Sequence, residues 1–197
     1  MKLTIHQKTI ITSQCAGMIG TNLFTSGVLL SYSQALGFSN STILILLAIP
    51  ELTGTFLILS FAYYTPRIGI KIIGALGIIL GILGFFLLIG ASYSPTSQLF
   101  LAFMGVTLIG IGGAMFNSGW LALITPLIEK NSRGRFLGIN RFFWQLVSIA
   151  FSFVALSIIK NSENSKIAYS IILMIVVFLQ IIRLITYNKI PDQTEKE

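Results

Sequence analysis

Four polar residues stand inside long apolar runs: Asn22, Glu51, Asn117 and Arg141. Glu51 is the only acidic one among them. An ionisable group at membrane depth costs about 2.5–3.5 kcal/mol on insertion scales, so it is expected to face a partner or a water-filled cavity. The bland alternative is a neutral glutamic acid hydrogen-bonded within a helix bundle. Arg141, Gln145, Ser148 and Ser152 fall at i, i+4, i+7 and i+11, which is one face of a helix. A guanidinium on that face suits a carboxylate or phosphate bidentately, or it snorkels to lipid headgroups as a lysine would. Trp144 beside it can stack on a ligand or anchor at the interface. A second polar face holds Cys15, Asn22, Ser26 and Ser33, with Gln14, Thr21 and Thr25 on the adjoining stripe. Small polar residues of this kind either hydrogen-bond between helices or line a cavity, and the spacing alone leaves both open.

Other chemistries are excluded by what is missing. One cysteine, Cys15, forms no internal disulfide, and one histidine, His6, lies ahead of the first apolar run. No Cys/His metal constellation follows from that pair. Asn117-Ser118-Gly119 offers a serine at membrane depth, but an intramembrane protease also needs a base beside it, and His6 is outside the spans. No catalytic residue, cofactor or metal is therefore assigned, and the chain is read as a non-enzyme. The net charge of +7 comes from basic residues scattered at the ends of apolar runs. That pattern sets membrane topology and does not build a phosphate-binding groove, so nucleic acid is excluded as a partner.

The elements that must hold these groups are membrane helices. Charged residues make up 10% of the chain and apolar ones 54%, with a mean hydropathy of +0.87. Soluble domains carry about 25% charged residues, so too little polar surface exists here to cover a water-facing globule. Six helices are expected, at 9–36, 42–63, 70–92, 98–125, 136–159 and 167–187, forming a single all-α, polytopic domain over 1–197. The first run is too long for the apolar core of a secretory signal and is read as retained. Gly74, Gly77, Gly81 and Gly84 lie along one face of the third helix, and Gly110, Ala114 and Ser118 along one face of the fourth. Such faces are for close packing, because lipid supplies no hydrophobic drive between helices. The sixth helix is the most uniformly apolar and is expected to face lipid, with Arg183 near its end snorkelling to the headgroups. With the N-terminus inside, only Lys160 and Lys166 of the 13 basic residues fall outside. That asymmetry puts both termini in the cytoplasm of a multi-pass protein of the cell (inner or plasma) membrane.

Two short connections carry more information than the helices. At 63–71, YYTPRIGIK places Arg67, Gly69 and Lys71 in a basic turn. At 126–135, Pro126 precedes the basic hinge Arg133-Gly134-Arg135, where Pro126 ends one helix and Gly134 lets the chain turn into the next. Asn22 and Ser26-Gly27 are also faintly echoed by Asn117 and Ser118-Gly119. These features together resemble the amino-terminal six-helix half of the major facilitator superfamily (MFS). The first connection is similar to the family's G-x-x-x-D-R-x-G-R-K/R signature, with Ala62 at its first glycine, Pro66 at its aspartate and Ile70 at one basic position. The resemblance associates that acid with a gating contact to the opposite half, and Pro66 cannot make it.

The resemblance implies two inverted three-helix repeats, with the first and fourth helices lining a cavity and the second and fifth meeting a second half. Asn22, Glu51, Asn117 and Arg141 would then surround one aqueous vestibule, with Trp144 and Gln145 beside it. Arg141 would hold an anionic group of the substrate or a carbonyl of the opposite half. Arg67, Gly69, Lys71, Arg133, Gly134 and Arg135 would form the gating turns. The implied activity is secondary transport of a small solute by alternating access, in the lipid bilayer, with a homodimeric copy or a separate carboxy-terminal half completing the cavity. The alternative is a non-transporting membrane remnant, or a scaffold that docks on another membrane protein.

Overall fold

Seven helices follow one another in the computed structural model, which describes residues 4–25 and 27–192, and all of their side chains except those of Phe24 and Thr25. They are α1 (Ile5–Thr25), α2 (Val28–Ala35), α3 (Asn40–Ile68), α4 (Ile70–Tyr93), α5 (Gln98–Ile124), α6 (Arg133–Asn161) and α7 (Ser165–Asn188). No strand occurs among the described residues. The expected first helix, 9–36, is thus two helices. Gly27 ahead of α2 has a φ of 77°, a left-handed conformation that breaks the helical ladder. Ser26, which was counted on the polar face, lies outside the described residues, as do Lys2 and Lys196 of the basic-residue count.

Five described helices are long and apolar enough to cross a membrane: Asn40–Ile68, Ile70–Tyr93, Gln98–Leu127, Lys130–Asn161 and Ser165–Asn188. The polar α1 is not among them. Its 21 residues include Gln7, Lys8, Ser13, Gln14, Thr21 and Asn22, which offset its apolar ones.

Both connections are tighter than the sequence suggests. The expected turn at 63–71 shrinks to one residue, Gly69, whose φ of 110° joins α3 directly to α4. Pro66 sits inside α3, two residues before its end at Ile68. The expected turn at Gly134 is corrected as well. Gly134 does not have a positive φ and belongs to the first turn of α6, after a 3-10 turn at Lys130–Ser132. The reversal is held instead by Arg133, whose Nε donates to Ile128 O at 3.3 Å and whose Nη2 donates to Thr125 O at 3.2 Å. Both carbonyls lie just past the end of α5, and Thr125 O also accepts from Ile128 N at 3.4 Å.

The packing has an internal symmetry. α1 lies on α6 and α7, α5 lies on α3 and α4, and α4 meets α7. Exchanging α1, α3, α4 for α5, α6, α7 in that order returns the same scheme of contacts. The α4–α5 joint is the most extensive. A Cβ on Gly84 would sit 2.6 Å from Gly105 O, and one on Gly77 2.5 Å from Gly112 O, so backbone rests on backbone along this seam. Gly110 plays the same part under α3, where a Cβ would meet Pro50 Cα at 2.8 Å.

Two apolar cores result. One gathers Leu23, Leu46, Phe85, Leu88, Val106 and Ile172; the other gathers Ile10, Phe116, Leu123, Phe136 and Tyr187. The expectation that the last helix faces lipid holds for one side only, where Ile171, Met174, Phe178 and Ile185 are exposed. α7 buries Tyr169, Ile172, Leu173, Val176, Gln180 and Tyr187, a stripe at helical spacing that turns one whole side inward.

Candidate functional site

A cavity of about 570 Å³ opens between α1, α3, α4, α5 and α7. It is lined by residues of both apolar cores, Phe85 of one and Ile78 and Phe116 of the other. Its room comes from side chains that are absent. Gly54, Gly81 and Gly113 line it and leave it open. A Cβ at Gly54, Gly81 or Gly113 would meet nothing within 4 Å.

The polar groups on its wall come from four helices. Gln14 and Thr21 project from α1, Glu51 from α3, Asn117 from α5, and Gln180 and Arg183 from α7. Glu51 and Asn117 are exposed and Gln14 is buried. Pro50, next to Glu51, lacks the N–H of a regular helical turn. Thr53 Oγ1 donates to Ile49 O at 2.8 Å there, and lies 3.1 Å from Pro50 O.

Arg183 does not snorkel, contrary to expectation. Its guanidinium lies 3.8 Å over the ring of Phe116, which itself stacks on Trp120 with centroids 5.0 Å apart. Such a cation over an aromatic face is attracted by the ring quadrupole, the more so where water is excluded. Nη1 donates to Gln180 Oε1 at 3.4 Å, and Gln180 Nε2 donates to Gly17 O at 3.2 Å. Nε is buried without a hydrogen-bond partner among the described residues. Gly17 and Gly20 on α1 make this arrangement possible. A Cβ on the first would run into Arg183 and one on the second into Gln180. Two pairs at i, i+3 spacing therefore interlock: small residues on α1, long polar ones on α7.

Of the residues expected around one vestibule, the structure brings Glu51 and Asn117 to the cavity wall. Asn22, Arg141, Trp144 and Gln145 are not among its lining. Asn22 is half-buried and engaged in a contact. Arg141 and Gln145 are exposed on α6, with Trp144 half-buried between them. Ser148, on the same stripe, turns inward and is buried. In the turns, Arg67 is exposed, with Nη2 donating to Tyr63 Oη at 2.6 Å, and Lys71 is half-buried. Gly134 and Arg135 are exposed.

Sequence reasoning missed Gln180 and Arg183. The available signal was their i, i+3 spacing on the same side as Tyr169 and Tyr187, in a helix otherwise apolar.

The family model described as Major Facilitator Superfamily matches residues 10–197. No curated protein and no solved structure matches the chain.

Proposed function

The chain belongs to the major facilitator superfamily, whose members are transporters, not enzymes, and from that premise we propose that it forms one six-span wall of an alternating-access carrier for a small solute. In this reading α1 and α2 together make the first span, despite their polarity, and 1–197 is a single domain of two inverted three-helix repeats. The exchange symmetry of the helix contacts supports it. Glu51 and Asn117 contact the solute, and Asn22 borders its path. A second wall, either another copy or a separate carboxy-terminal half, covers α3 and α6. Arg141, Trp144 and Gln145 then face that second wall, and Arg67, Gly69, Lys71, Arg133, Gly134 and Arg135 form the gating turns on the cytoplasmic side of the cell membrane, where both termini lie.

The observation that carries this reading is the glycine-lined cavity with ionisable groups on its wall. Charged residues inside membrane spans are costly and mark solute or ion paths. Its direct test is assembly. The purified chain is expected to run as a dimer or with a retained partner in mild detergent, by light scattering. A monodisperse, well-ordered monomer would sink the two-wall carrier and favour a non-transporting docking protein.

A further inference from the structure

We propose that Arg183, laid on Phe116 and steadied by Gln180, is an anion-binding subsite of the central cavity, and that the solute is a small organic carboxylate with an apolar body. The inference deepens the carrier reading of the same cavity and rests on it. A guanidinium stays charged at any physiological pH and offers five N–H donors in a flat fork. Nε is closed off against Gly17, and among the described residues the fork's hydrogen bond is the 3.4 Å one from Nη1 to the neutral Gln180, at the cavity wall. A buried charge short of hydrogen bonds is costly, and the cost is relieved when a counter-anion arrives. Glu51, the acidic residue on the same cavity wall, is exposed rather than buried. The unmet demand therefore lies with the cation.

The rest of the cavity specifies the body of the solute. Ile58, Phe85 and Ile109 give it apolar walls, and Gly81 and Gly113 leave open space beside them. A volume of about 570 Å³ fits a small organic molecule. The planar fork matches a carboxylate in two parallel bonds, which an ammonium in the same place would not.

The test uses the full chain in detergent and three probes of one skeleton: phenylacetate, 2-phenylethylamine and 2-phenylethanol. Binding is measured by isothermal titration calorimetry. Phenylacetate is expected to bind saturably, with the amine and the alcohol weaker by about tenfold or more, the difference one charge-assisted hydrogen bond makes. Arg183→Gln is expected to erase that preference, and Arg183→Lys to weaken phenylacetate without making the amine better. An amine that binds as tightly as the acid overturns the proposal, as does an absence of saturable phenylacetate binding, or an Arg183→Gln protein that keeps its preference. The preference of the unaltered protein decides the matter even where a variant fails to fold. Anion-selective binding by a chain that stays monomeric would leave the subsite standing while the two-wall carrier falls. Assembly without anion selectivity would do the reverse.

Discussion

Two seams related by the internal exchange of helices are built from opposite materials. Where α5 meets α4, glycine faces glycine: Gly77 against Gly112, and Gly84 against Gly105. Where α1 meets α7, glycine faces the longest polar side chains in the interior, Gly17 against Arg183 and Gly20 against Gln180. The first seam sets backbone on backbone, and lipid offers no hydrophobic drive that would hold it together without this close fit. The second gives up backbone contact to hold a charge over an aromatic ring beside the cavity. The two seams thus differ in kind: one sets backbone on backbone, and the other seats a charge beside the cavity.

The largest expected effect breaks the first seam. Gly84→Ala puts a methyl 2.6 Å from Gly105 O and 2.7 Å from Ile109 Cγ1. Backbone cannot retreat as a side chain can, so the loss should be about 1–3 kcal/mol, typical of overpacking. Unfolding titrations in mixed detergent measure it. Gly90→Ala on the same helix is the control, since its Cβ would meet only Leu101 Cδ1 at 3.7 Å. Equal losses for the two would mean that the seam is not what the packing depends on.

A middle-sized effect comes from Tyr187, which tethers α7 to the start of α4. Its hydroxyl donates to Ile70 O at 3.3 Å, and its ring packs on Phe116. Tyr187→Phe keeps the ring and removes the bond, with a loss of about 0.5–1.5 kcal/mol expected in the same titration. A neutral result would assign the tether to the ring alone.

The smallest effect on stability belongs to the second seam and separates the two most clearly. Gly17→Ala meets the far end of Arg183, a flexible side chain that can swing aside. Stability should fall by less than about 1 kcal/mol, well below the overpacking cost at Gly84. Phenylacetate affinity should nevertheless drop, because the guanidinium leaves its seat on Phe116. A variant that loses stability as Gly84→Ala does, while binding unchanged, would erase the distinction between the seams.

How far the sequence could be read differs between these regions. The glycine spacing of α4 is visible along one helix, and Gly77 and Gly84 do lie on its extensive joint with α5, but Gly74 sits against Tyr187 of α7 and Gly81 faces open space. The break at Gly27 was not visible, since a glycine in an apolar run is compatible with a helix or with its interruption. Gly134 illustrates the converse: a glycine permits a turn without making one, and here Arg133, bonded to Ile128 O and Thr125 O, holds the reversal.

Arg141 and Arg183 mark the boundary between sequence and tertiary structure. Both are arginines within apolar helices, and Arg141 has the more continuous polar stripe beneath it. Nevertheless Arg141 is exposed on α6, while Arg183 lines the cavity. Composition, hydropathy and spacing by themselves determined the membrane class, the all-α architecture, the glycine repeat of α4 and the family resemblance. Those are properties of one helix or one turn at a time. Which arginine reaches the cavity, and which side of the last helix is buried rather than lipid-facing, was decided only when the helices packed. The reason is that a side chain's surroundings depend on what lies across from it. Here that was Gly17 and Phe116, over sixty residues away along the chain from Arg183.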